Sequence, residues 1–122
     1  MTKHVLLAED EPNIVESLTF LLDRAGFEVS VETDGQKALD RARAEQPDVL
    51  ILDVMLPEMD GYEILRRLRA DQRTAALPIL MLTAKGQPKD RATAEDLGAT
   101  EFMTKPFSNA DVVATVRRLA EQ

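Results

Sequence analysis

Asp48-Val49-Leu50-Ile51-Leu52-Asp53-Val54-Met55-Leu56-Pro57, with Asp60-Gly61 just beyond, is the stretch whose reading decides the fold. Val49 to Leu52 are consecutive apolar residues, rich in branched side chains and bounded by turn formers. That is the pattern of a strand buried on both faces. The run ends abruptly in a carboxylate. A charged Asp inside such a core, unpaired, costs several kcal/mol or more in lost hydration. Asp53 is therefore expected at the C-terminal end of the strand, where an open parallel α/β sheet meets solvent and binds its ligands.

Working outward, Val5-Leu6-Leu7-Ala8 is a second short apolar run, and it too ends in acids, Glu9-Asp10-Glu11. Pro12 suits a first helical turn, Ile14, Val15, Leu18, Leu21, Leu22 and Ala25 follow at helical spacing, and Gly26 is a natural stop. Residues 27–31 alternate apolar and polar, as an edge strand does. Asp34-Gly35 opens a helix with Ala38, Leu39 and Ala42 inward, ended by Gln46-Pro47. Beyond Asp60-Gly61, a turn expected to need positive φ, Tyr62, Ile64, Leu65 and Leu68 mark another amphipathic helix. Pro78 to Leu82 is a third buried run, ending in Thr83-Ala84-Lys85. Residues 88–97 are helical in composition but poor in large apolar side chains, which predicts the loosest helix. Gly98 stops it, and 100–104 alternate as a second edge before Lys105-Pro106-Phe107. Ser108 and Asp111 resemble a capping box for a last helix lined by Val112, Val113, Val116, Leu119 and Ala120.

Five strands alternating with five helices predict a three-layer α/β sandwich, a doubly wound parallel sheet with the apolar runs central and 27–31 and 100–104 at the edges. The 122 residues fit one domain, 1–122, with no linker or repeat. No apolar run approaches the ~18 residues of a membrane span, and no secretory signal is visible. With no cysteine there is neither disulfide nor thiolate metal site, and a cytoplasmic location is the expectation. A net charge of −7 argues against direct nucleic-acid binding, which needs a basic surface. The sole histidine, His4, has no partner for a triad or zinc site and reads as a strand-start surface residue.

In this topology the polar residues after successive strands converge: Glu9 and Asp10, then Asp53, Thr83 and Lys105. Carboxylates gathered without compensation would repel one another. A hard divalent cation and one lysine relieve that, and Mg²⁺ takes few carboxylates, keeps waters and shares positions with phosphate oxygens. Carboxylate, Mg²⁺, hydroxyl and ammonium together describe a phosphoryl-transfer site.

On Leu7-Ala8-Glu9-Asp10-Glu11-Pro12, Leu52-Asp53-Val54-Met55-Leu56-Pro57, Asp60-Gly61, Thr83-Ala84 and Lys105-Pro106-Phe107, the chain resembles the receiver domain of bacterial two-component response regulators, from Lys3 to about Glu121. Each stretch alone is weak; all of them in order are specific. The resemblance implies a flavodoxin-like, chemotaxis-regulator-like sheet of order 2-1-3-4-5. It implies Asp53 as phosphoacceptor from a sensor histidine kinase or phosphotransfer protein. Mg²⁺ would be held by Asp10, by Glu9 through water, by Asp53 and by the Met55 carbonyl. Lys105 and Thr83 would engage the phosphoryl group, and Phe102 would be the aromatic switch, turning from exposed to buried on activation. Ala84 would be the small neighbour of the phosphoryl group. The 84–107 face would then control an effector protein or fused output domain. A cis Lys105–Pro106 bond is likewise implied.

The same resemblance frames the departures. Phe102 lacks the hydroxyl of the more usual Tyr. Met55 and Lys85 occupy the positions that tune phosphoryl hydrolysis, and an apolar Met55 cannot orient an attacking water, so slow autodephosphorylation is expected, hours rather than seconds. Arg91 and Asp111 are candidates for a charged pair in a phosphorylation-dependent homodimer, whereas Thr100 and Thr115 stand where charged partners are common. Other readings are a degenerate receiver acting as a constitutive interaction module, a flavin-binding electron carrier, and an aspartyl-nucleophile hydrolase. The electron carrier needs a Ser/Thr/Gly-rich phosphate loop where Glu9-Asp10-Glu11 stand. The hydrolase wants an acid where Met55 stands. The expectation is a switch that catalyses only its own phosphorylation and dephosphorylation, not an enzyme acting on a small substrate.

Overall fold

The computed structural model describes residues 2–84 and 88–121; Lys85 lies outside them. Strands and helices alternate throughout: β1 His4–Ala8, α1 Pro12–Arg24, β2 Glu28–Glu32, α2 Gly35–Glu45, β3 Val49–Asp53, α3 Gly61–Ala70, β4 Ile79–Thr83, α4 Pro88–Asp96, β5 Glu101–Thr104 and α5 Asn109–Ala120. All strand pairs are parallel, in the order β2-β1-β3-β4-β5. The expected sheet is the observed one, and the two alternating segments are its edges. Among the described residues no helix is long and apolar enough to cross a membrane.

Strand periodicity explains the layers, since successive side chains point to opposite faces. Leu6, Leu50, Leu52, Ile79, Met81 and Phe102 face one way, with Leu39 of α2, Leu65 of α3 and Ala94 of α4. Val5, Leu7, Val49, Ile51, Leu80 and Leu82 face the other, with Leu18 and Leu22 of α1 and Val116 and Leu119 of α5. β3 and β4 are buried along their whole length, while no β2 residue is. Central strands covered on both sides are apolar up to their last residues, here Asp53 and Thr83; the edge strand tolerates Glu28, Ser30 and Glu32.

Local chemistry fixes the ends. Pro12 occupies the first turn of α1, and Gly26 takes φ of 97° after it. Asp34, Asp60 and Ser108 cap α2, α3 and α5 by accepting the backbone N–H of Lys37, Glu63 and Asp111. α4 has a single buried residue, Ala94, as its composition predicted.

One expectation is corrected. Gly61 does not have positive φ; it is glycine because a Cβ there would lie 2.5 Å from the Asp53 carbonyl oxygen and 2.9 Å from the Val54 Cα. The start of α3 rests directly on the backbone that carries Asp53, sealed by the Gly61 N–H on the Val54 carbonyl at 2.8 Å. His4 sits at the far end of the sheet, half-buried, its Nε2 2.9 Å from Ser30 Oγ and 3.5 Å from Glu45.

Candidate functional site

The sheet register assembles the site. Ala8 is paired with Leu52, so the next residues, Glu9 just past β1 and Asp53 at the end of β3, stand side by side. Thr83 closes β4 beside Thr104 of β5, and the ladder runs one step further through the Lys105 N–H to the Thr83 carbonyl, 2.6 Å. Lys105 is thereby brought over β3 from the edge strand, and its bond to Pro106 is cis.

Lys105 Nζ lies 3.1 Å from Glu9 Oε1, 3.0 Å from Glu11 Oε1 and 3.2 Å from Asp53 Oδ1. The Glu11 and Asp53 contacts are hydrogen bonds. The Glu9 contact is an ion pair in distance but is poorly aimed, which leaves the fully buried Glu9 Oε1 without a well-formed hydrogen bond. The other Glu9 oxygen accepts the backbone N–H groups of Asp10 and Glu11, both at 3.1 Å. These bonds turn the Glu9 carboxylate into the site.

Asp53 is 2% exposed. Burial, and then the Glu9 charge, push its carboxyl up to about 6, against the opposing pull of Lys105 and the Met55 backbone N–H. Burial by itself would lower the Lys105 ammonium. The Glu11 and Glu9 contacts and the Asp53 charge outweigh that and hold it above its ordinary range. One cation is thus shared by three acids, two of them buried.

Glu9, Asp10 and Asp53 each offer a carboxylate oxygen, all within 4.8 Å of one another. An all-oxygen donor set with a poorly satisfied buried oxygen fits a hard divalent cation that keeps part of its water shell. These are the carboxylates the sequence singled out. Met55, two residues on, is exposed.

Thr83, at 1% exposure, sits at the expected strand end. Phe102 is on β5 but already buried, where the resemblance implies an exposed ring before activation, because it packs inward with the Arg91 guanidinium 5.0 Å above its ring. Arg91 therefore covers the aromatic residue within the chain. Thr100 is engaged internally, its Oγ1 accepting the Ile79 N–H at 3.0 Å, and Thr115 is buried.

Glu11 is the participant that sequence reasoning quoted without assigning a role. It is the N-cap residue of α1, yet its side chain makes no capping bond, so it is available to Lys105. The available signal was its place as third acid after β1, directly before the helix-starting Pro12.

A family model described as the response regulator receiver domain matches residues 5–117. The alkaline phosphatase synthesis transcriptional regulatory protein PhoP of Bacillus subtilis is 44% identical over 98% of this chain and 49% of its own length. The DNA-binding dual master transcriptional regulator RpaA of Synechocystis is 43% identical over 94% of this chain and 48% of its own length. The chain thus spans about half the length of these curated relatives. Among solved structures, a response regulator from Chloroflexus aurantiacus superposes with a TM-score of 0.93 at 34% identity, both chains being covered in full. The receiver domain of the sensor histidine kinase PA1611 from Pseudomonas aeruginosa, solved with a magnesium ion coordinated in its active-site cleft, does so with 0.86 at 28%, again covering both chains. By its sheet order, its motifs and these relatives, the chain belongs to the response regulator receiver domain family.

Proposed function

We propose that this chain, over residues 1–122, is a two-component switch whose Asp53 accepts a phosphoryl group from the phosphohistidine of a sensor kinase or phosphotransfer protein. The observation that carries the reading is Lys105 Nζ held within 3.0 to 3.2 Å of Glu9, Glu11 and Asp53 at the end of a wholly buried strand. A fold retains such a costly charge cluster where it handles charged chemistry. The family is one of signalling receivers, not of catalytic enzymes.

In this reading an Asp53 oxygen forms the new bond to phosphorus while the P–N bond breaks, and the imidazole leaves with the electron pair. Lys105, already beside that oxygen, stays as counter-charge to the incoming group. Thr83, at the end of the adjacent strand, supplies its hydroxyl. Mg²⁺ would be held by Asp10, Asp53, the Met55 carbonyl and, through water, Glu9. It would neutralise charge on the transferring phosphoryl. The coordinated magnesium of the PA1611 receiver supports that choice of ion.

Phosphorylation adds charge and acceptor oxygens where Lys105 and Thr83 stand. The response is carried by the 84–107 face and the residues Thr83 and Phe102, toward an effector protein or a fused output domain. The sparsely anchored α4 supports that route. The relatives named as transcriptional regulators favour a fused output.

Intact mass after incubation with acetyl phosphate and Mg²⁺ tests the reading. A gain of about 80 Da, the mass of one phosphoryl group, dependent on Mg²⁺ and absent in Asp53→Asn, is the expected result. No gain in a folded wild type overturns it and leaves a constitutive interaction module.

A further inference from the structure

Met55 stands apart from the other described methionines. It is 61% exposed, whereas Met81 is fully buried and Met59 and Met103 are half-buried against the two core layers. It follows the proposed acceptor by two residues in sequence, and its backbone N–H helps to hold the Asp53 carboxyl down. The most accessible thioether among the described residues therefore belongs to the residue two positions after the one proposed to carry the phosphoryl group.

We infer that Met55 is an oxidation site through which hydrogen peroxide, or another two-electron oxidant of that class, shortens the lifetime of the phosphorylated state. The inference rests on the reading of Asp53 as phosphoacceptor. The chemistry balances simply. The thioether sulfur gives up two electrons, the peroxide O–O bond breaks, one oxygen bonds to sulfur and the other leaves as water. No cofactor is required.

The consequence follows from what the side chain then offers. A thioether is a weak acceptor and a soft apolar surface, and it holds no water in place. A sulfoxide oxygen is a strong acceptor. Hydrolysis of an acyl phosphate needs a water whose oxygen attacks phosphorus while the bond to the Asp53 oxygen breaks, the electron pair returning to the carboxylate and the protons going to phosphate or buffer. A water hydrogen-bonded beside the phosphoryl group is partly positioned for that attack. Oxidation at Met55 thus gives a water beside the phosphoryl group a strong acceptor where the thioether offers a weak one. Met59, Met81 and Met103 are shielded by their packing, which directs the reaction to Met55 at limiting oxidant.

The experiment treats the folded wild type and Met55→Leu with hydrogen peroxide, maps the added oxygen by peptide mass, then phosphorylates with acetyl phosphate and Mg²⁺ and follows phosphoryl loss after reagent removal. About 16 Da should appear on the Met55 peptide before the peptides of Met59, Met81 and Met103. The half-life of oxidised wild type should fall on the order of tenfold relative to untreated protein, the scale of one positioned water. The half-life of Met55→Leu should not respond to peroxide, and Met55→Gln should lose its phosphoryl faster than Met55→Leu without any oxidant. An unchanged half-life in fully oxidised wild type, or oxidation of Met59 or Met103 ahead of Met55, overturns the inference while leaving Asp53 as acceptor. Failure of untreated wild type to gain a phosphoryl group overturns that reading and this inference together.

Discussion

Replacing Asp53 by Asn should stabilise the metal-free protein at neutral pH. Asp53 is all but fully buried at the end of β3, and its carboxyl is pushed up to about 6 from an ordinary 3.8 by burial and the Glu9 charge. A folded-state value above the unfolded one means the fold prefers the protonated form. The associated stability is complete below about pH 4 and is lost as pH rises through about 6. At about 1.4 kcal/mol per unit, that difference is worth up to about 3 kcal/mol above pH 7. Asn keeps the shape without the charge, and Lys105 retains Glu9 and Glu11. Asp53→Asn should therefore gain about 1–3 kcal/mol at pH 7.5 in chelator, about 3–10 °C in Tm for a domain of this size. The advantage should vanish near pH 4. Excess Mg²⁺ should stabilise the wild type by mass action and narrow the gap. Urea unfolding of both proteins at pH 4, 6 and 7.5, with chelator and with Mg²⁺, reads all of this. An Asp53→Asn protein less stable than wild type in chelator at pH 7.5, or a difference that does not change with pH, would refute the electrostatic account of the site.

Three further outcomes follow from the same geometry. Lys105→Met leaves Glu9, Glu11 and Asp53 facing one another without their shared cation, so the metal-free protein should lose about 2–4 kcal/mol, with Mg²⁺ restoring much of it; equal losses with and without metal in urea melts would count against that. Gly61→Ala forces a Cβ against the Asp53 carbonyl, and a loss of at least about 2 kcal/mol of stability, read as a lowered urea midpoint with no change in m-value, is expected. Untreated wild type, with Met55 unoxidised, should hold its phosphoryl group for hours in Mg²⁺; decay within seconds in a mass-resolved chase would remove Met55 as the cause of slow hydrolysis.

The layers were legible in the sequence because burial on both faces leaves little compositional freedom. Val49 to Leu52 and Ile79 to Leu82 are apolar at every position, and β2 is not. Asp53, Glu9 and Lys105 were legible for the opposite reason: a charge abutting such a run has to emerge at the strand end, and parallel strands all emerge at the same end. Gly61 was misread because positive φ and close backbone approach both demand glycine; only the position of Asp53 and Val54 beneath α3 distinguishes them. Glu11 went unassigned because its role depends on the reach of Lys105 across three strands, which no local pattern encodes. Phe102 could be placed on β5, but that Arg91 of α4 lies over its ring depends on how a helix with one buried residue settles, and composition leaves that open.

The energetics of the site and the anchoring of α4 bear on one another. Lys105 is shared among three carboxylates, so any new anion at Asp53 draws the ammonium away from Glu9 and Glu11, and a divalent cation compensates the acids it leaves. That redistribution acts at the ends of β4 and β5, since Lys105 follows β5 and its N–H is bonded to the Thr83 carbonyl of β4. β3 cannot yield: it is buried throughout and braced by Gly61. α4 can. Besides Ala94, its side-chain ties to other elements among the described residues include the Tyr62 hydroxyl on the Asp90 carbonyl at 3.4 Å and Arg91 over Phe102, each worth about 1 kcal/mol or less. Its C-terminal end is held harder, where Arg69 donates to the Gly98 carbonyl at 2.8 Å and lies near Thr100 Oγ1 at 3.4 Å. A charge change of several kcal/mol at Asp53 therefore finds its softest outlet at the N-terminal half of α4, which would pivot about the Arg69 contact rather than detach as a whole.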